Sequence, residues 1–532
     1  MSAAARTSEP VPGRAYASGG RASWGFSALA GLASAGLTLG VGELVAGVVA
    51  PAAAPLLVVG GAVVDRVPAP VKEFAISTFG SNDKLVLLLT IGVLVAALAV
   101  AAGLLARRRL ALGVALVGLL GVVGVLAAAT RPDATALFPL PSLLGAGAGV
   151  FALTVLTRRA TRTGPEEGPA RRGTLARLSR RRLLGGVAVV GAVTGAGGRL
   201  LARVRDAEAS RAAVVLPAPA EPAPALPAGI DPRIGADGLT PYATRNADFY
   251  RVDTALSVPD VRAEDWSLRV HGMVEEELEL SFADLLALPL RERWITLTCV
   301  SNEVGGSYVG NARWLGYPLD ALLERVRPTG GADMLYATSV DGFTLSAPLR
   351  EATDGRDAML AVGMNGSPLP REHGFPVRMV IPGLYGYVSA CKWVVDIEVT
   401  TFAAKTAYWT DRGWAQQAPI KTASRIDVPA SFAQVRRGRV PIAGVAWAQH
   451  RGVSKVEVRI DSGSWGAATI VPSASEDTWC QWVYDWDAQE EGSHVVEVRA
   501  TDGEGVPQTD EVVAPIPNGS SGYDSTTVTV VA

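Results

Sequence analysis

The chain has 532 residues, of which 49% are hydrophobic, and it carries a formal net charge of −2 and a mean hydropathy of +0.25. This apolar excess is too large for a soluble protein of this length, so we expect part of the chain in lipid, and the near-neutral charge argues against nucleic acid as a partner. Its three cysteines, Cys299, Cys391 and Cys480, lie far apart with no CxxC pair, which disfavours a disulfide framework or a zinc site.

Residues 1–205 contain the apolar excess and are predicted to form a membrane domain of about five transmembrane helices. A helix needs about 20 apolar residues to cross the hydrocarbon core of a bilayer. Arginines cluster before the first predicted span, between the second and third, and after the fourth, so the positive-inside rule predicts a cytoplasmic N-terminus and an extracytoplasmic location for everything after the fifth. The predicted spans are 24–50, 85–106, 110–130, 136–157 and a shorter one at 183–198.

The stretch "SRRRLLGG" at residues 179–186 precedes the fifth span and resembles a twin-arginine export signal in an internal position. An ordinary basic stop in front of a membrane helix is the alternative interpretation, and the charges alone fit both. The twin-arginine route exports folded proteins, which is what a domain loaded with its cofactor in the cytoplasm requires.

Three further segments follow the spans. Residues 206–237 are rich in proline and are predicted to be a semi-rigid, extended spacer. Residues 238–402 combine short β-rich runs with two helical pieces, "SFADLLAL" with Ser281 as its N-cap and "LDALLERV", and are predicted to form an α+β domain. Residues 419–532 show only strand patterns separated by turns, which predicts an immunoglobulin-like sandwich.

Two stretches of the α+β domain contain residues suited to chemistry. Cys299 lies where the alternating strand "ITLTCV" meets the polar "SNEVGG"; it is either a small buried core residue or a side chain that points into a pocket. Residues 371–393 place His373, Arg378, Ser389 and Lys392 among glycines, a composition that suits a phosphate but also a solvated basic loop. Walker and GxGxxG patterns are absent from the sequence, so such a phosphate would not belong to an ordinary nucleotide fold.

Taken together, "NADFYRVD", "TLTCVSN", "NARWLGYPL", "MNGSPLPREHGFPVRMVIPGLYG" and "SACKW" resemble the sulfite oxidase family of molybdopterin enzymes, collinearly from about Thr240 to the C-terminus. The resemblance implies a molybdopterin domain followed by an immunoglobulin-like domain that forms a homodimer, and it implies Cys299 as the protein ligand of molybdenum. The residues implied to hold the molybdopterin cofactor are Asn246, Asp248, Arg251, Val252, Cys299, Thr338, His373, Arg378, Ser389, Cys391 and Lys392.

Two departures from the family bear on the substrate. Glu303 and Val304 stand where sulfite-oxidising members have an arginine, and Phe343 stands where they have a tyrosine. Arg313, in the family-like "NARW", is the candidate catalytic residue that could replace the missing charge. With less positive charge and no phenol, the pocket is predicted to favour reduction of a small sulfoxide or N-oxide over oxidation of sulfite.

Haem-binding and iron–sulfur patterns are absent from the sequence, so a separate electron-transfer partner is expected. Two other functions remain open at this point. One is a cell-surface binding protein in which the immunoglobulin-like domain does the work and the pterin fold is only a scaffold. The other is a cysteine hydrolase that uses Cys299 and His373, which is less favoured because no orienting acid or elbow motif accompanies them.

Overall fold

The computed structural model describes residues 24–68, 83–131, 134–161, 169–204, 207–226 and 238–532, together with Val71, Phe74, Ala75, Thr78 and Phe79. Residues 227–237, the last part of the predicted spacer, lie outside the described residues, and so do the side chains of Arg180 and Arg181 in the twin-arginine-like motif. The chain divides into two compact units, a helical unit of Met1–Arg66 and Asn82–Val204 and a β-rich unit of Val67–Ser81 and Arg205–Ala532.

The described residues of the helical unit form six α-helices: α1 Trp24–Val49, α2 Pro55–Arg66, α3 Asp83–Arg108, α4 Leu110–Ala129, α5 Leu140–Thr161 and α6 Pro169–Val204. Five stretches within them are long and apolar enough to cross a membrane: Trp24–Val49, Lys84–Arg108, Leu110–Ala129, Leu140–Arg159 and Arg182–Leu201. They coincide with the five predicted spans. The 12-residue helix α2 is too short to span and was not predicted.

Helices α1 and α6 approach each other closely because glycines line their contact. A methyl group on Gly40 would collide with the backbone oxygen of Gly191, and one on Gly47 with that of Gly198. Small residues of this kind let the backbones of membrane helices come into van der Waals contact. The weakly apolar fifth span is thereby packed against the first.

The proline-rich segment is docked on the α+β domain, so the prediction of a spacer is wrong for its described part. The amide of Ala220 donates to the carbonyl of Leu290 at 2.8 Å, and the amide of Glu292 donates to the carbonyl of Glu221 at the same distance. Proline cannot donate such bonds, but Ala220 and Glu221 can. They cover an edge strand that would otherwise expose unpaired backbone groups.

The α+β domain is built on two sheets, with strand orders β2-β1-β10-β5-β6 and β3-β4-β7-β8, and β9 pairs with β7. Both predicted helical pieces are present, and Ser281 caps the first as expected, because its hydroxyl accepts the amide of Asp284 at 3.2 Å. The strands are β1 Ser267–Gly272, β2 Leu278–Ser281, β3 Arg291–Thr298, β4 Val309–Pro318, β5 Met334–Ser339, β6 Thr344–Pro348, β7 Met359–Met364, β8 Ser367–Pro368, β9 Arg378–Val380 and β10 Val394–Thr400. The described helices of this region are α7 Ala207–Ala213, which forms the first part of the predicted spacer, α8 Phe282–Leu286, α9 Leu319–Val326 and α10 Gly386–Ser389.

The C-terminal region is all β, as predicted, and consists of two sheets with orders β11-β13-β17-β16 and β12-β19-β18-β14-β15. Side chains from both sheets, such as Trp482, Val458 and Val498, form one buried cluster, so the two sheets pack face to face. The strands are β11 Ala423–Val428, β12 Ala433–Arg436, β13 Gly438–Trp447, β14 Val453–Ile460, β15 Gly466–Ala467, β16 Thr469–Ile470, β17 Cys480–Ala488, β18 Gly492–Asp502 and β19 Asp524–Val531.

Candidate functional site

Cys299 follows the last residue of β3 and begins the turn that leads into β4. Its amide donates to the carbonyl of Tyr308 at 2.9 Å, and its carbonyl accepts the amide of Asn302 at 3.0 Å. The side-chain oxygen of Asn302 accepts the amide of Tyr308 at 2.7 Å, which closes the same turn a second time. The backbone around the buried cysteine is therefore fixed at both ends of the turn 299–308, which we call the cysteine turn.

The surroundings of the Cys299 sulfur are poor in water. Burial raises the pKa of the thiol, and hydrogen bonds from Ser301 and the positive charge of Lys392 oppose that rise. The phenol of Tyr250 lies within electrostatic range of the sulfur, and burial raises its pKa as well. Without a metal this thiol stays protonated at neutral pH, whereas coordination to a metal cation would remove its proton.

Arg378, the first residue of β9, is buried without a carboxylate partner among the described residues. Its guanidinium donates to the carbonyls of His373 at 3.2 Å and Ala390 at 3.4 Å, and it lies 5.0 Å from the centre of the Trp314 ring. Its Nε is buried and makes no hydrogen bond with any described residue. Burial lowers its pKa to about 10. A buried cation with an unused donor is the expected feature of a site for an anionic ligand.

Lys392 adds a second cation, whose side chain is 10% exposed. Its Nζ donates to Asp253 at 2.6 Å and to the carbonyl of Glu372 at 3.2 Å, and Arg251 shares the same carboxylate at 2.8 Å. Burial lowers the pKa of Lys392 to about 8. Asp253 is the one carboxylate in ion-pair contact with these described cations, so they and Arg378 leave an excess of positive charge that a phosphate group would balance.

His373 and Asn246 complete the arrangement around Arg378. The His373 ring nitrogen Nε2 lies 3.1 Å from the carbonyl of Asn246, whose side-chain oxygen accepts a hydrogen bond from Asn365 at 2.7 Å. Burial and the charge of Arg378 lower the pKa of His373 to about 4, so its ring is neutral at physiological pH. The structure thus brings Asn246, His373, Arg378 and Lys392 together.

Other predicted cofactor residues lie at the margin or already have partners within the chain. The Ser389 hydroxyl donates to the carbonyls at positions 384 and 385, at 3.0 and 3.1 Å. Cys391 is fully buried. Asp248 is exposed and paired with a neighbouring arginine, Val252 is exposed, and Thr338 is a half-buried residue of β5. Asn246 therefore lies beside His373, whereas Asp248 lies at the margin.

Arg313 does not lie beside Cys299, contrary to its predicted catalytic role. In the register of β3 and β4, Arg313 pairs with Trp294 and Val309 pairs with Thr298, the residue before Cys299. Arg313 is therefore four residues further along β4 than the position opposite the end of β3. At about 3.3 Å per residue this places its Cα roughly 13 Å further along the ladder. Its guanidinium instead pairs with Glu292 at 3.1 Å.

The two departures from the family have different surroundings. Glu303 and Val304 are exposed and line a cleft with about 380 Å³ of empty space, open to solvent, which also contains Thr298 and Tyr385. Phe343 packs on Tyr408, with ring centres 5.6 Å apart.

Two tyrosines lie within electrostatic range of the Cys299 sulfur, Tyr250 and Tyr385. Neither was identified from the sequence. The signal for Tyr250 was available in "DFYRV", where it follows a buried phenylalanine and precedes Arg251.

Residues 255–409 match the family described as "Oxidoreductase molybdopterin binding domain". Mitochondrial sulfite oxidase of Rattus norvegicus is 31% identical over 274 residues, which cover 43% of this chain and 49% of that protein. Sulfite oxidase of Arabidopsis thaliana is 27% identical over 304 residues, covering 47% and 74%. The structure of the sulfane dehydrogenase SoxCD from Paracoccus pantotrophus aligns with a TM-score of 0.48 at 22% identity, over 55% of this chain and 85% of that one.

The β-rich unit therefore contains a molybdopterin-binding oxidoreductase domain, whose cofactor is the molybdenum cofactor. The chain is similar to members of the sulfite oxidase family of molybdopterin oxidoreductases. It spans about half the length of the mammalian and insect sulfite oxidases that it matches.

The residues present fit this cofactor. The soft sulfur of Cys299 suits molybdenum, and the partnerless Nε of Arg378 and the excess positive charge around Lys392 suit the pterin phosphate. Gly374, at φ +112°, allows the chain to pass close to both cations, because a methyl group there would lie 3.0 Å from the Arg378 Cβ and 3.2 Å from the Lys392 Cβ.

Proposed function

We propose that this chain is a membrane-anchored enzyme that moves an oxygen atom to or from a small substrate. The proposal rests on one arrangement: Cys299 lies at the fixed end of β3, near the cations Arg378 and Lys392, whose positive charge is only partly balanced by carboxylates. When bound, the molybdenum cofactor supplies the oxo group and the redox chemistry. Cys299 would hold the metal, and Asn246, His373, Arg378 and Lys392 would hold the pterin and its phosphate.

The surroundings of Cys299 support a neutral substrate. Lys392, whose positive charge acts on the sulfur, is already paired with Asp253. Arg313 lies elsewhere, and the exposed Glu303 adds negative charge near the turn. A sulfur oxyanion would need positive charge beyond the cations assigned to the pterin phosphate, whereas a sulfoxide or an N-oxide would not.

Tyr250 would assist such a reduction by keeping a proton near the reacting atoms. Sulfoxide reduction consumes two electrons and two protons and yields a sulfide and water, so a protonated donor close to the oxygen is useful. Burial holds the phenol of Tyr250 in its protonated form. The electrons would come from a separate partner protein.

We expect the purified, molybdenum-loaded protein to reduce small sulfoxides or N-oxides with an artificial electron donor and to oxidise sulfite poorly with an artificial acceptor. The measurement is steady-state turnover with both substrate classes at matched concentrations. Efficient sulfite oxidation with little sulfoxide turnover would contradict the neutral-substrate assignment while leaving the molybdenum site in place.

The membrane location and the role of the C-terminal region are also part of the proposal. The five apolar helices support a multi-pass location in the cell membrane, with membrane lipid around them, and the arginine distribution favours an extracytoplasmic catalytic domain. The two packed sheets of residues 423–531 are consistent with an immunoglobulin-like sandwich that forms a homodimer.

Replacing Arg180 and Arg181 by lysine should trap the β-rich unit in the cytoplasm if the internal motif is an export signal. The exchange leaves the charge unchanged, so the positive-inside rule predicts no effect, whereas a twin-arginine receptor distinguishes arginine from lysine. Protease accessibility of residues 238–532 in spheroplasts measures the outcome. Equal cleavage of the variant and the wild type would show that the motif is an ordinary basic stop.

A further inference from the structure

The cysteine turn is in contact with the C-terminal two-sheet region along its outer side. The hydroxyl of Ser520 donates to the carbonyl of Asn302 at 2.6 Å, and the guanidinium of Arg425 donates to the carbonyl of Gly306 at 2.9 Å. Asp524 packs so closely on Gly305 that a methyl group at that glycine would collide with its carboxylate. The C-terminal region thus contacts the cysteine turn at Asn302, Gly305 and Gly306.

The strand in front of Cys299 is also held by the C-terminal region. The buried amide of Gln449 donates to the hydroxyl of Thr298 at 3.1 Å and to the carbonyl of Thr296 at 3.3 Å. The amide of Thr296 donates in turn to the carbonyl of Asp477 at 2.9 Å. Contacts therefore lie both before and after the cysteine in sequence.

These contacts are themselves anchored within the C-terminal region. Arg425 also donates to Asp427 at 2.7 Å, and the Asp524 carboxylate accepts the amide of Ile426 at 2.8 Å. Because Arg425 and Ile426 are residues of β11, the part of the turn at Gly305 and Gly306 is fixed to a strand of a packed sheet. A metal ligand attached in this way has little freedom to change its position or its torsion angles.

We propose that the C-terminal region positions Cys299, with Ser520 and Gln449 as the positioning residues on either side of the cysteine. The role is separate from any contact between subunits. It rests on the proposed function, because a fixed sulfur geometry matters when Cys299 binds the metal. Hydrogen bonds around a metal ligand commonly tune the metal in this manner.

The test compares two adjacent serines in the full-length protein. Ser520→Ala removes the hydrogen bond to Asn302. Ser521→Ala removes a hydrogen bond of 2.8 Å to the carbonyl of Glu511, a residue outside the cysteine turn. Hydrogen–deuterium exchange of residues 299–308 in cofactor-free protein is the first measurement. Loss of one hydrogen bond should speed exchange in this segment by about three- to tenfold in Ser520→Ala, with no change in Ser521→Ala or in Ser520→Thr, which keeps the hydroxyl.

The second measurement is the electron paramagnetic resonance spectrum of the Mo(V) state in loaded protein. Its g values depend on the orientation of the metal–sulfur bond, so Ser520→Ala and Gln449→Leu should shift or broaden the signal at unchanged molybdenum content, and turnover should fall about three- to tenfold. An unchanged spectrum in both variants overturns the positioning role, even if exchange becomes faster. Equal effects in Ser521→Ala overturn it as well.

The two proposals fail in distinguishable ways. Wild-type protein that binds no molybdenum would contradict the proposed function, while the exchange experiment would still report whether Ser520 holds the turn. Wild-type protein that binds molybdenum and turns over substrate, with a spectrum insensitive to Ser520 and Gln449, would leave the function intact and remove the positioning role.

Discussion

Replacement of Cys299 by serine should abolish turnover while leaving the fold intact. The substitution exchanges a soft sulfur for a hard hydroxyl of similar size, so it removes the proposed metal ligand without opening a cavity. The side chain is 9% exposed, and the turn around it is held by backbone bonds that do not involve the sulfur. We expect a loss of stability of about 1 kcal/mol or less, which is at the low end for point mutations.

The measurements are turnover, molybdenum per chain and far-ultraviolet circular dichroism. Cys480→Ser is the matched control, because Cys480 is also a buried, unpaired cysteine but belongs to the core of the C-terminal sheets. It should keep full specific activity in whatever fraction folds. Normal turnover in the Cys299 variant would rule out the ligand assignment, and wild-type protein without molybdenum would favour the cell-surface binding alternative.

Local sequence patterns identified most elements of the fold. Apolar length alone located the five long apolar helices, and the alternation in "ITLTCV" located β3 and put Cys299 at its end. The capping pattern at Ser281 predicted the start of α8 correctly. Each of these features depends on residues close together in the chain, which is why periodicity and capping are sufficient to find them.

Features that depend on strand register or on long-range contacts were not predictable in this way. Arg313 was assigned to the site by its motif, but the β3–β4 register carries it away towards Glu292. The docking of Ala220 on the edge of the sheet uses backbone groups, which leave no trace in side-chain periodicity. The contact of Ser520 with Asn302 joins positions 218 residues apart, and neither stretch of sequence contains a pattern that predicts the contact.

The resemblance to the family identified most of the buried cationic site but not its charge balance. Arg378 and Lys392 were predicted together, yet only the structure shows that the first has no carboxylate partner among the described residues and the second shares one with Arg251. Composition cannot reveal this difference, because a salt-bridged arginine and an unpaired one look the same in sequence. The difference decides how the domain should behave without its cofactor.

Replacement of Arg378 by methionine should lower cofactor content strongly while leaving the cofactor-free domain at least as stable as the wild type. Methionine fills a similar volume, and removal of a buried cation without a carboxylate partner relieves a desolvation cost. A charge-assisted contact to a phosphate contributes roughly 1.5–3 kcal/mol, so cofactor binding should weaken roughly ten- to hundredfold. Burial already lowers the pKa of Arg378 to about 10, which reflects that desolvation cost.

Arg356→Met is the matched control for this prediction, because Arg356 is a largely buried arginine, with its side chain 10% exposed, and has a full set of partners. Its guanidinium pairs with Asp354 at 2.6 Å and donates to the carbonyl of Pro382 at 2.9 Å, so its removal leaves a carboxylate uncompensated. Thermal unfolding of cofactor-free protein should therefore show destabilisation in Arg356→Met and none in Arg378→Met, while molybdopterin content after expression should show the opposite order. If Arg378→Met retains full cofactor and unfolds at a lower temperature, Arg378 is a structural residue, and the phosphate must be bound elsewhere in the domain.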